Sequence, residues 1–217
     1  MSNRKHSIRM LGLALVAVFA MSAVAASAAS AAKFNHEAGA GVTARVTATN
    51  EGAHEFTAGV VGTISCKKAT FTGTEFLLSG QATVTVSPAY SECTFLGVSG
   101  VVVNMNGCTY KFNEPQGSAS PFTGTVTVLC PAGKKITFSA AECTVEVGEQ
   151  GPLSTLTYTN LAGPPKAVKV VANVSGITYT ASGVGCPLGE KNDGTYKGTA
   201  IAKAETKTGV IVGAFIG

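Results

Sequence analysis

The sequence predicts an all-β protein: an antiparallel β-sandwich, as one body or two packed halves, stapled by disulfides and preceded by a signal-peptide helix. Three observations lead there. Apolar and polar residues alternate with period two over many short runs. Gly, Pro and Asn clusters separate those runs. Six cysteines follow an apolar, uncharged leader.

The leader comes first. Residues 2–10 hold Arg4, Lys5 and Arg9 and no acid, and residues 11–26 carry no charge. Ala26-Ser27-Ala28 and then Ala29-Ser30-Ala31 follow. A basic head, a short apolar run and an A-x-A exit are the parts of a secretory signal peptide. The expected division is a signal peptide over 1–28 and a secreted domain over 29–217, with cleavage after Ala28 or Ala31. The apolar run is shorter than the roughly 20 residues that cross a bilayer. No later stretch reaches that length, and Val210–Ile216 is strand-sized. The mature chain is therefore expected to have no membrane span, and to be extracellular or held at the cell surface.

Cleavage changes the charge. The chain has 16 basic and 12 acidic residues. The leader takes three of the basic ones and no acid, which leaves a mature net charge of +1. Nucleic-acid binding needs a clustered basic footprint, so no nucleic-acid partner is expected.

The cysteines are Cys66, Cys93, Cys108, Cys130, Cys143 and Cys186. An even count in an exported chain reads as three disulfides. There is no C-x-x-C, and the mature chain keeps only His36 and His54, so neither a zinc site nor a thioredoxin-like role is expected. Cys130 and Cys143 bracket a plausible turn at Gly133 to Lys135, which suggests one pair. Cys66 and Cys93 flank 69–91 and suggest a second. Cys108 with Cys186 is then the third.

The strands follow in order. Val42, Ala44, Val46 and Ala48 alternate with threonines and Arg45. Ala82, Val84 and Val86 form a second run. Phe122, Val126, Val128 and Cys130 share a face, as do Cys143, Val145 and Val147, and then Val168, Val170, Ala172 and Val174. Successive strand residues point to opposite faces, and the branched Cβ of Val and Thr suits a pleated surface. The expected breakers are Asn50-Glu51-Gly52, Pro131-Ala132-Gly133, Gly151-Pro152, Gly163-Pro164-Pro165 and Asn192-Asp193-Gly194. No amphipathic helix is expected after the leader. The longest polar break is 113–121. Three cysteines precede it and three follow, so full intrachain pairing must send at least one disulfide across it.

Several short stretches carry a resemblance: Val103 to Tyr110, Cys130 to Lys134, Tyr158-Thr159-Asn160, Asn173 to Tyr179 and Asp193 to Gly198. Over roughly Phe56 to Gly198 the chain resembles a group of uncharacterised secreted β-proteins of soil actinobacteria. The resemblance implies a bacterial, exported β-protein and brings no activity and no site residues.

Chemistry is sparse. The only Asp is Asp193, placed in what reads as a hairpin turn. His54 reads as an exposed loop residue and His36 as part of a fraying N-terminus. Glu75, Glu92, Glu142 and Glu146 are carboxylates without a pattern, and the last two fall on the polar face of a run. No G-x-S-x-G elbow and no calcium loop occurs. There is no Trp, and Tyr110, Tyr158, Tyr179 and Tyr196 read as strand packing. No catalytic, cofactor or metal residue is assigned, and no cofactor is expected. The expectation is a non-catalytic module with a binding or structural role toward an extracellular ligand or cell-envelope component. The alternative is a small secreted hydrolase with a Glu or Ser site. A deep pocket lined by two carboxylates, or by His54 with a Ser, would favour the enzyme.

Overall fold

In the computed structural model the described residues are 31–217, except 60, 141, 185, 187 and 188. The expected signal peptide and its helix lie outside them. Among the described residues there is no helix, and none is long and apolar enough to cross a membrane.

Fifteen strands follow in order: β1 (Phe34–His36), β2 (Ala44–Asn50), β3 (His54–Ala58), β4 (Gly62–Gly73), β5 (Val84–Phe95), β6 (Val98–Asn104), β7 (Thr109–Phe112), β8 (Phe122–Leu129), β9 (Ile136–Ala140), β10 (Cys143–Val147), β11 (Gln150–Leu161), β12 (Ala167–Gly183), β13 (Gly189–Thr206), β14 (Ile211–Val212) and β15 (Ala214–Ile216). All pairings are antiparallel. The alternation expected from sequence is borne out: in β8, Phe122, Val126 and Val128 are buried and Thr123 is exposed.

The expected sandwich is corrected to a closed sheet. Following the pairings β2–β4–β5–β7–β8–β11–β12–β13 returns to β2, a ring of eight strands. A second ring runs β3–β4–β5–β6–β9–β10–β12–β13 and returns to β3. The two rings share β4, β5, β12 and β13, the long strands. The first ring uses the C-terminal part of β4 and the N-terminal part of β5, and the second uses the opposite parts. The molecule is thus two barrels stacked end to end on four common strands. A sandwich leaves sheet edges to be managed, whereas closure removes them.

The far end of the first barrel carries a cap. β1 pairs with β15, and Phe34 also exchanges backbone hydrogen bonds with Gln81. Asn160 holds the backbone of Ile216 through both of its side-chain polar atoms.

The three disulfides are Cys66–Cys93, Cys108–Cys130 and Cys143–Cys186. The first is as expected, and the other two correct the expected partners. Register explains both. Thr109 lies opposite Leu129, so the next pair outward is Cys108 and Cys130. Cys143 lies opposite Ala140, at the far end of the β9–β10 hairpin from the strand start at Ile136 that follows Cys130. Cys143 instead faces Gly183 of β12, just before Cys186. Cys108–Cys130 is the bond that crosses the 113–121 break, as the count required. Three disulfides suit an oxidising environment.

Two expected turns are strand. Gly151-Pro152 lies inside β11, where shifts in register absorb it. Asn192-Asp193-Gly194 lies inside β13, because the β12–β13 ladder continues past an irregularity to Ala181 and Gly189.

Candidate functional site

The interiors of the two barrels differ, and the difference locates the site. The second barrel is filled. Phe56 and Phe138 stack at 4.8 Å between ring centres, and Tyr179 meets Phe56 edge-on at 6.1 Å. Ile136, Val145 and Val147 complete that core.

The first barrel is hollow. Period two puts Gly198, Ala200 and Ala202 of β13 on the inner face, beside Ala172 and Val170 of β12 and Val46 and Ala48 of β2. These side chains are too short to meet across a ring of eight strands. An eight-stranded barrel is just wide enough to be filled by side chains or to hold one small ligand. What remains is a cavity of about 130 Å³. At about 24 cal/mol per Å³, a hole of that size costs roughly 3 kcal/mol relative to a packed interior. Phe34, Asn35, Ala214 and Phe215 of the cap close one end.

At the other end, on the seam between the barrels, lie His54, Tyr90, Tyr110 and Tyr196. His54 opens β3 and is 4 % exposed, which corrects the exposed-loop expectation. Its Nε2 is 3.0 Å from the Thr199 carbonyl, which can only accept, so Nε2 carries the proton. In the neutral ring Nδ1 then accepts from the Tyr196 hydroxyl at 2.5 Å. Burial lowers the His54 pKa from its ordinary value, with the Thr199 carbonyl opposing, so the neutral form is the resident one. The Tyr90 hydroxyl lies 2.8 Å from that of Tyr196 and 3.3 Å from that of Tyr110. Burial pushes the Tyr110 pKa up to about 12, and those of Tyr90 and Tyr196 well above the ordinary 10. Gly198 is required here: a Cβ at that position would run into the His54 ring.

Tyr158 also lines the cavity, with Phe34 edge-on at 5.8 Å. Its ring lies over Gly124, which leaves no room for a Cβ. Its hydroxyl is buried without a hydrogen-bond partner, the only such side-chain atom among the described residues. Burial raises its pKa well above 10.

The other sequence candidates do not converge. His36 is held in β1 rather than frayed, with Nε2 3.1 Å from the Leu77 carbonyl. Asp193 accepts from the Tyr179 hydroxyl at 2.9 Å, in the wall of the filled barrel. Glu92 pairs with Lys68, and Glu146 pairs with Lys135 at 3.0 Å. Glu75 and Glu142 are exposed. The described wall of the cavity contains no Asp, Glu or Ser, and no group of acids, His and Cys among the described residues could hold a metal.

Sequence reasoning misplaced His54 and did not single out Tyr90. For His54 the signal was present: His54, Phe56 and Ala58 share one face of a period-two run against Glu55 and Thr57. Tyr90 gave none, because its role depends on hydroxyls from two other strands. No protein-family model, curated protein or solved structure matches this chain.

Proposed function

We propose that the mature chain is a secreted, non-catalytic binding module whose first barrel takes up a small apolar molecule. One observation carries this reading: the 130 Å³ cavity is walled almost entirely by aliphatic and aromatic side chains, with only Asn35, His54 and tyrosine hydroxyls polar in its described wall. Apolar holes of roughly 150 Å³ stay dry and accept benzene. The stability forgone by keeping such a hole is recovered when an apolar guest fills it. The absence of carboxylate and Ser from the described wall supports binding over hydrolysis, since His54 has only Tyr196 and a backbone carbonyl as partners. The disulfides support export to an oxidising, extracellular or cell-surface location.

The test is titration of the secreted chain with toluene, followed by NMR shifts of methyl groups such as Val170. Saturable one-to-one binding is expected, and it should be lost in Ala202→Leu, which fills the hole. Absence of binding up to the solubility limit would remove the reading. So would turnover of a glycoside, ester or peptide that disappears in Glu75→Ala, Glu92→Ala or His54→Ala.

A further inference from the structure

The seam cluster gives the cavity one polar end, and its protons can be counted. His54 Nε2–H is committed to the Thr199 carbonyl. The Tyr196 proton is then committed to His54 Nδ1, the shortest contact in the cluster. Tyr196 has no second proton, so its 2.8 Å contact with Tyr90 must use the Tyr90 proton. Toward Tyr110 the Tyr90 hydroxyl is placed as donor, but at 3.3 Å, beyond the usual O–H···O range, and the Tyr110 proton itself has no acceptor among the described residues. Tyr110 is therefore the underused hydroxyl of the seam cluster, held by one long contact. Tyr110 also lines the cavity, as do Tyr196 and His54. Burial keeps its phenol protonated.

We infer that Tyr110 is a specificity-determining residue of the cavity, donating its hydroxyl proton to a single oxygen on an otherwise apolar ligand. The class is a small aromatic or alicyclic molecule, about the size of one six-membered ring, with one hydroxyl or carbonyl. The inference deepens the reading of the first barrel as a ligand site and rests on it. Its geometry is economical. His54 and Tyr196 have their protons committed, Tyr158 carries the one unpartnered buried hydroxyl among the described residues, and most of the remaining wall is apolar. A second polar group on the guest away from these would be buried unpaired, at a penalty. The chain Tyr90–Tyr196–His54–Thr199 fixes where protons lie behind Tyr110, so the donor is preset before the ligand arrives.

Phenol and toluene, alike in shape and differing in one oxygen, test this. Both are titrated at pH 8, where His54 is neutral, into the native chain and into Tyr110→Phe. The phenylalanine removes only the oxygen, and toluene binding reports whether the cavity persists. Tyr110→Phe is expected to weaken phenol about fivefold, the net worth of one neutral hydrogen bond, and to leave toluene within about twofold. Equal changes for the two ligands would overturn the inference and leave the binding reading standing. Failure of both ligands to bind the native chain would overturn both.

Discussion

Two barrels built on the same four strands have opposite interiors. In β12 the change occurs within a single strand. β12 contributes Val170 and Ala172 to the hollow barrel and, further along, Tyr179 to the filled one, where it meets Phe56. In the second barrel Phe56 and Phe138 stack against each other, whereas in the first Phe71, Phe112 and Tyr158 share the wall with Gly198, Ala200 and Ala202 and leave the cavity open. On the filled side of the seam only a gap of about 10 Å³ remains, against 130 Å³ on the other. Strand number and closure are the same, and the run of small residues on β13 marks the side that stays hollow.

The largest test of that contrast truncates the filled barrel. Phe138→Ala should cost about 3–5 kcal/mol in denaturant unfolding, as for large-to-small changes in packed cores. A cost near 1 kcal/mol would mean the second barrel is loosely filled as well.

The disulfides come next. Replacing Cys143 and Cys186 by Ser should cost about 2–4 kcal/mol. Their 43-residue separation exceeds the 22 residues between Cys108 and Cys130. Loop-closure entropy then makes the first pair worth about 0.6 kcal/mol more. Paired denaturation curves of the two double variants would show the order, and an inverted order would place the difference in native-state packing.

The seam gives a pH dependence. Burial holds the His54 pKa below its ordinary 6.5, so on acidification the unfolded chain takes up this proton first. The stability that neutral His54 contributes is full above about pH 6.5. It is lost as pH falls from there toward the lower, folded pKa. Thermal midpoints between pH 8 and 5 should fall in the native chain, and the part of that slope due to His54 should vanish in His54→Gln. An unchanged slope would move the acid sensitivity elsewhere.

The smallest effect is expected where the barrel is hollow. Ala202→Leu adds bulk that would cost about 1–3 kcal/mol in a filled core. Into the cavity it should change stability by less than about 1 kcal/mol while abolishing toluene binding. A large loss would show that the hole cannot accept side-chain atoms.

Much of the fold was legible because its signals are local. Val145 and Val147 fall on one face of β10, and Asn50-Glu51-Gly52 turns the chain, as alternation and turn chemistry require. The Cys66–Cys93 pair followed from two strands joined in a short excursion. Asp193 misled because Asn192-Asp193-Gly194 carries turn chemistry yet sits at an irregularity within β13, where Gly194 pairs with Ile177 and the Tyr179 hydroxyl donates to Asp193. His54 misled because a short polar run looks exposed until the strands that cover it are known.

The sequence by itself determined an all-β chain, the inward and outward faces of strands such as β8 and β10, and the need for a disulfide across residues 113–121. Those follow from residue type and period, which act over a few neighbours. Only the tertiary structure decided that the sheet closes twice, which cysteines meet, and that Gly198, Ala200 and Ala202 face a hollow rather than a bulky neighbour. The physical reason is that closure, register and cavity volume are sums over residues far apart in the chain. A small side chain leaves a void only when the residues around it, from strands distant in the chain, do not reach into the space.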